Sequence, residues 1–281
     1  MHNQAAAARE LQALLAEQVR DHGNYQVVPE VVLRHFSAAE QPLYRQEQLA
    51  LDAPRFTWLR DHLDCTGMVA VEIGANLGYF SIRLADSCGA TVHAYEPIAA
   101  YAKAVNLMAQ VIGLGARVHG HAEPVPLEKV AALPACDLMV SLNVLHHAGR
   151  SFATDVVRDE NSWREYARRY LSACAGRAKW LFFQTGSTMG GSALFPSADA
   201  VPFTAKLLED SGWSVVQTGV IADFSALTYA SFSRAELDRV PRTSCRRDPA
   251  TGLVAYTRDG KQVAALPTGL AQRPLWLCRA Q

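Results

Sequence analysis

Five short apolar runs, "MVAVEIG", "ATVHAYEP", "ARVHGHAE", "CDLMVSLN" and "KWLFFQTG", alternate with stretches of helical periodicity between Met68 and Gly186. No other feature constrains the fold as tightly. The helices expected over Ala99 to Ile112 and over Trp163 to Cys174 are long enough to carry the chain back to the same end of a sheet. Successive strands then pair in parallel through right-handed crossovers. The expected architecture is α/β, a mostly parallel sheet with helices on both faces.

What surrounds this core is different in character. From Gln4 to Arg20, Ala, Leu and Glu recur at helical spacing, and after a stretch with Pro29 and Pro42 a second helix is expected from about Gln46 to Leu63. Residues 1–64 read as a helical N-terminal arm or cap, and 65–281 as the main domain, with insertions near 186–202 and 223–272. "QTGSTMGGSALFPSADAVP" has the Gly, Ser and Pro content of a long loop. A helix near Ala205 to Ser211 and a strand "WSVVQTGVIA" follow. "GLVAYTRDGKQVAAL" is expected to form a hairpin turning at Asp259-Gly260, and "PLWLCRA" to return as a last strand.

Composition bounds the partners. In 281 residues, 49% hydrophobic content with 19% charged supports a large buried core, and 27 basic against 27 acidic residues leave no whole-chain excess to attract nucleic acid or an anionic membrane. The only tight basic clusters are "WREYARRY" and "RTSCRRD". Six dispersed cysteines, without a C-x-x-C pair, are expected to be reduced thiols. With neither a secretory-type start nor an eighteen-residue apolar run, the expected compartment is the cytoplasm.

The stretch "VEIGANLGYFSIRLA", Val71 to Ala85, is a strand that stops at a Gly/Asn turn and resumes as a helix. Ligands of open α/β sheets sit beyond the carboxyl ends of the strands, so this turn is the first candidate site. Gly74 and Gly78 remove Cβ atoms from the backbone there, and Asn76 is among the few non-glycine residues that tolerate positive φ. A dinucleotide fingerprint G-x-G-x-x-G fails, since Asn76 and Tyr79 stand where its second and third glycines belong. Glu72, just inside the strand, instead suits a cationic group such as an ammonium.

These residues resemble the first motif of the class I S-adenosylmethionine-dependent methyltransferases, an acidic residue followed by glycines at alternate positions, with Asn76 replacing the middle one. Three further segments match in order, from roughly Phe56 to Gly186: "VHAYEP", where Glu96 takes the place of the acid that binds both ribose hydroxyls; "VHGHAEPVP", which meets the adenine; and "CDLMVSLNVLHHA", the fourth-strand motif under the methionyl part. The resemblance implies a seven-stranded, mostly parallel Rossmann-like sheet and S-adenosylmethionine as cofactor. It places the cofactor on Glu72, Gly74, Ala75, Asn76, Gly78 and Tyr79, on Glu96 and Pro97, and on Asn143. His121 stands where the family often has Asp, leaving the Ala122 amide or Glu123 for the adenine.

The implied reaction is in-line methyl transfer, in which the cofactor supplies the activation and the protein positions and desolvates. A hydroxyl or protonated amine acceptor also needs a base. His146 or His147, at the mouth of the fourth strand, is the first candidate, and Gln184 and Thr185 could orient the acceptor. His119 and His121 lack a carboxylate or Cys at recognisable ligand spacing, so no metal is expected. The expected partner is a small-molecule substrate, on which an oxygen or nitrogen is methylated, with a homodimer left open. Two alternatives stay open: an RNA-modifying enzyme, because "EIGANLGYFSIRLA" and "LNVLHHA" also resemble enzymes acting on the tRNA wobble uridine, and a cofactor-binding protein without methyl transfer.

Overall fold

The computed structural model describes residues 2–22, 26–39, 41, 51–186, 188–189, 192–193, 200–223, 226–239, 250, 253–258, 261–267 and 273–281. The chain divides into two compact units, Met1–Val125 with Cys136–Leu138, and Pro126–Ala135 with Met139–Gln281.

The first unit contains helices α1 (His2–His22), α2 (Glu30–Leu33), α3 (Asp52–His62), α4 (Tyr79–Cys88) and α5 (Ala99–Val111), with strands β1 (Val69–Ile73), β2 (Thr91–Tyr95) and β3 (Val118–His121). β1 pairs with β2, and β2 with β3, in parallel. In β1 four of the five residues of "VAVEI" are buried, as a strand covered on both faces requires. Ala7, Leu11 and Leu15, at four-residue spacing, form the buried stripe of α1, which packs on α5. Asp137, at the start of β4 (Cys136–Leu142), accepts the Val69 N–H at 3.0 Å and fixes the entry of β1.

The second unit contains α6 (Leu127–Val130), α7 (Glu160–Ala175), β5 (Ala178–Gln184), the two-residue strands β6 (Thr188–Met189) and β7 (Ser192–Ala193), α8 (Ala200–Glu209), β8 (Trp213–Asp223), β9 (Thr228–Phe232), α9 (Arg234–Arg239), β10 (Leu253–Arg258), β11 (Lys261–Pro267) and β12 (Leu275–Ala280). Helix α7 starts with a reciprocal cap: Asp159 accepts from the Ser162 amide while the Ser162 hydroxyl accepts from the Asp159 amide. Trp163 and Trp213 are fully buried and each donates its indole N–H, to the Leu145 and Leu171 carbonyls respectively, which removes the cost of burying a polar group.

The main sheet runs β3-β2-β1-β4-β5-β12-β8-β9, eight strands where seven were expected. The extra one is β9, antiparallel to β8; only Phe232 of its five residues is fully buried, so it lacks the apolar run that marks the other strands. β12 lies antiparallel to both β5 and β8. α8 begins at Ala200, five residues before the expected start, with Pro202 in its first turn, where a missing N–H costs no intrahelical bond. β10 and β11 pair antiparallel as the expected hairpin, although its turn residues Asp259 and Gly260 lie outside the described residues. So do Pro42, residues 46–50 of the expected second helix, "RTSCRRD" and most of the expected loop after Thr185, whose described residues include the paired β6 and β7.

Candidate functional site

In the first unit, the turn after β1 is held by backbone geometry. Gly74 and Ala75 both donate to the Tyr95 carbonyl, at 2.9 and 3.1 Å, tying the turn to the end of β2. Gly74, Asn76 and Gly78 have φ of 72°, 50° and 77°. Asn76 relieves its own strain by accepting the Leu77 N–H on its side-chain oxygen at 2.8 Å. Gly78 is required twice over, by its φ and by space, since a Cβ there would lie 2.6 Å from Val105 Cγ2.

Glu96 is the keystone of this turn. Its Oε2 accepts the Asn76 N–H at 2.8 Å and its Oε1 the Ile98 N–H at 3.0 Å, so one carboxylate spans the β1 turn and the segment after β2. Burial raises its pKa, and the two amides partly oppose this. Glu72 is buried deeper. One oxygen accepts both the amide and the hydroxyl of Ser81, and burial lifts its carboxyl to about 8, with Asp52 and Glu96 adding repulsion. At neutral pH Glu72 is mostly protonated unless a cation joins it.

Of the other expected contacts, Ala75 and Tyr79 are buried, whereas Pro97 and Ala122 are exposed and Glu123 is half-buried. Three residues of this unit escaped the sequence reading. Gln26 accepts the Tyr79 N–H at 3.2 Å at the start of α4. Asp52, buried and paired with Arg55 at 3.3 Å, stands close enough to raise Glu72. Ile98, 45% exposed beside the Glu96 carboxylate, presents an apolar surface. Asp52 and Gln26 lie outside any motif; Ile98 had a signal, a large apolar residue directly after "EP". His93, His119, His121 and Tyr95 form a stacked row across β2 and β3, with ring centroids 4.5–5.6 Å apart. Among the described residues no group of His, Cys, Asp and Glu could hold a metal ion.

The second unit carries its own cluster beyond β4 and β5. Asn143, at φ 58°, donates from its amide nitrogen to Gln184 Oε1 at 2.9 Å, and Gln184 donates in turn to the Arg273 carbonyl at 2.6 Å. Both ends of the Gln184 amide are engaged, so it positions Asn143 and Arg273. This relay leaves the Asn143 side-chain oxygen as a buried acceptor with no partner among the described residues. Thr185 is buried, and its hydroxyl points to the Gly186 carbonyl at 3.4 Å.

His146 and His147 lie in a single helical turn, Leu145–His147, anchored by the Trp163 bond to Leu145. Their environments differ. His146 is buried, and Gly186 donates its amide N–H to Nδ1 at 3.2 Å. A main-chain N–H can only donate, so in neutral His146 the proton sits on Nε2. Burial, then His147 and Arg273, push its pKa down to about 3. His147 is exposed, and its pKa is lowered by desolvation, then by Arg150 and Arg273. Of the two, His147 can accept a proton, while His146 is fixed as a neutral donor.

No protein-family profile and no curated protein sequence matches the chain. Among solved structures it is similar to WbdD, a bifunctional kinase-methyltransferase, at 16% identity and a TM-score of 0.52 over 96% of this chain. The chain spans 46% of the length of WbdD. It is also similar to magnesium protoporphyrin IX methyltransferase from Synechocystis PCC 6803, at 14% identity, 96% of this chain, 97% of that one and a TM-score of 0.47. The fold is that of the class I S-adenosylmethionine-dependent methyltransferases. No helix among the described residues is long and apolar enough to cross a membrane.

Proposed function

We propose that this chain is an S-adenosylmethionine-dependent methyltransferase acting on an oxygen or nitrogen nucleophile of a small molecule. Glu96 carries the reading. Its oxygens each accept one amide N–H and retain lone pairs, at the end of a parallel strand, for the two hydroxyls of a ribose. The same unit fits the cofactor at one further point. Ile98 offers the exposed apolar surface on which a base can lie.

The bound cofactor supplies a methyl group on an electrophilic sulfonium. The chain supplies position and proton transfer. His147 would take up the acceptor's proton. Below 6.5 in pKa, His147 is neutral at physiological pH and ready for that step. His146, donating from Nε2, orients the acceptor oxygen or nitrogen. The balance of 27 basic and 27 acidic residues supports a small substrate over RNA.

Calorimetry with S-adenosylhomocysteine tests the proposal. Glu96→Ala should weaken binding by about 1.5–3 kcal/mol, the contribution of hydrogen bonds to a charged group. Equal affinity of the two proteins, or no binding to either, would refute it.

A further inference from the structure

We propose that His93, His119 and His121, the stacked histidines of β2 and β3, form an acid-sensitive latch on the cofactor site: charging the row parts the end of β3 from β2 and releases Glu96. The inference rests on the methyltransferase reading only for what Glu96 binds.

The row follows from strand alternation. Successive side chains of a strand point to opposite faces, and the register sets His119 beside His93 and His121 beside Tyr95, so all four rings share one face. Next to His93 and Tyr95 on that face β1 places the apolar Val71 and Ile73. The helices that pack on these strands meet the other face, where Ser81 of α4 reaches Glu72 and Asn106 of α5 bonds both the N–H and the carbonyl of Gly120. Their charged residues, Arg83, Asp86 and Lys103, therefore belong to helices across the sheet from the row. Glu123, whose N–H bonds the His121 carbonyl at 3.0 Å, adds a carboxylate that favours a charged His121.

His93 Nδ1 and His121 Nε2 meet at 3.3 Å, so a single proton lies between them. One added proton can go to an outer nitrogen and keep this bond. A second puts an N–H on both facing nitrogens and a charge on both rings, 5.6 Å apart, with His119 only 5.2 Å from His93. Burial, then the neighbouring rings, lower the pKa of His93; burial lowers that of His121, with Glu123 opposing it. Because the folded values lie below the ordinary 6.5, the row costs nothing well above that pH and destabilises the strand pair as pH falls below it. The strand pair ends on the residue that anchors the cofactor site. Glu96 donates its N–H to the His121 carbonyl at 3.0 Å, while its carboxylate holds the Asn76 and Ile98 amides. Parting β3 from β2 at His121 therefore frees the backbone on which that carboxylate is seated.

Two measurements on the full chain test the latch. Hydrogen exchange needs no ligand: protection of the Glu96 N–H, relative to the amides of β1 and corrected for intrinsic exchange, should fall roughly tenfold or more between about pH 7.5 and about pH 5.5. Calorimetry with S-adenosylhomocysteine should show the parent's affinity weakening by a similar factor over the same range. His93→Gln, which keeps a hydrogen-bonding amide but cannot charge, should bind like the parent at about pH 7.5 and lose no more than about threefold on acidification. Glu96, whose own carboxyl is raised by burial, titrates in both proteins, so a parallel decline in parent and variant overturns the proposal. So does a parent affinity that does not change with pH, or a Glu96 amide equally protected at both pH values. Should His93→Gln fail to fold, the exchange measurement decides alone. Absence of S-adenosylhomocysteine binding by the parent at neutral pH overturns the methyltransferase reading instead, and the exchange result still decides the latch.

Discussion

Replacing Glu72 by Gln should make the protein more resistant to alkaline pH, because Gln mimics the protonated carboxyl that the fold prefers. The folded carboxyl titrates near 8 and an ordinary one near 4.5, a gap of about 5 kcal/mol. Because the folded value is the higher, this contribution is complete below about 4.5 and lost as pH rises through about 8. At about pH 6 the unfolded chain has already released its proton and the folded chain has not. Between about pH 6 and pH 9 the parent should therefore lose roughly 3 kcal/mol more stability than Glu72→Gln. Denaturant titrations at fixed pH measure this directly, and in thermal scans it amounts to about 6–12 °C. Saturating S-adenosylhomocysteine should flatten the parent's decline, since an ammonium beside Glu72 favours the ionised form. Parallel pH profiles for parent and variant would show that Glu72 is ionised in the fold and would refute the reasoning.

Gly78→Ala should destabilise the protein by about 1–3 kcal/mol in thermal unfolding, because an L-residue at φ 77° must also displace Val105. His147→Ala should lower turnover about 10²–10⁴-fold while cofactor affinity measured by calorimetry stays within error. The parent's turnover should be flat above neutrality and fall only below 6.5, since His147 must be neutral to accept a proton and its pKa is lowered. His146→Gln, which keeps a donor, should retain more activity than His147→Ala; the reverse order would exchange their roles. Activity should vary little between about 50 and 200 mM salt, whereas an RNA substrate would make it fall by orders of magnitude through counterion release.

The parallel order of β1, β2 and β3, and the positive φ accepted at Asn76, were legible in the sequence because both are local. A buried parallel strand needs an unbroken apolar run, and few residues tolerate a left-handed turn. β9 was not legible, because an edge strand with one fully buried residue carries no such run. Nor could "LHH" tell its two histidines apart: neighbours in sequence, they are separated chemically by a Gly186 amide 40 positions away, which fixes one ring's tautomer. Asp52 and Gln26 reach the glycine turn across 20 and 53 residues of chain, to Glu72 and Tyr79, and no spacing rule encodes such contacts. Chain periodicity and backbone sterics, which act over a few residues, determined the sheet and its glycine turn. Burial and partner choice, which are set only when distant segments pack, decided which carboxylate is pushed toward its protonated form and which histidine ring accepts a main-chain N–H.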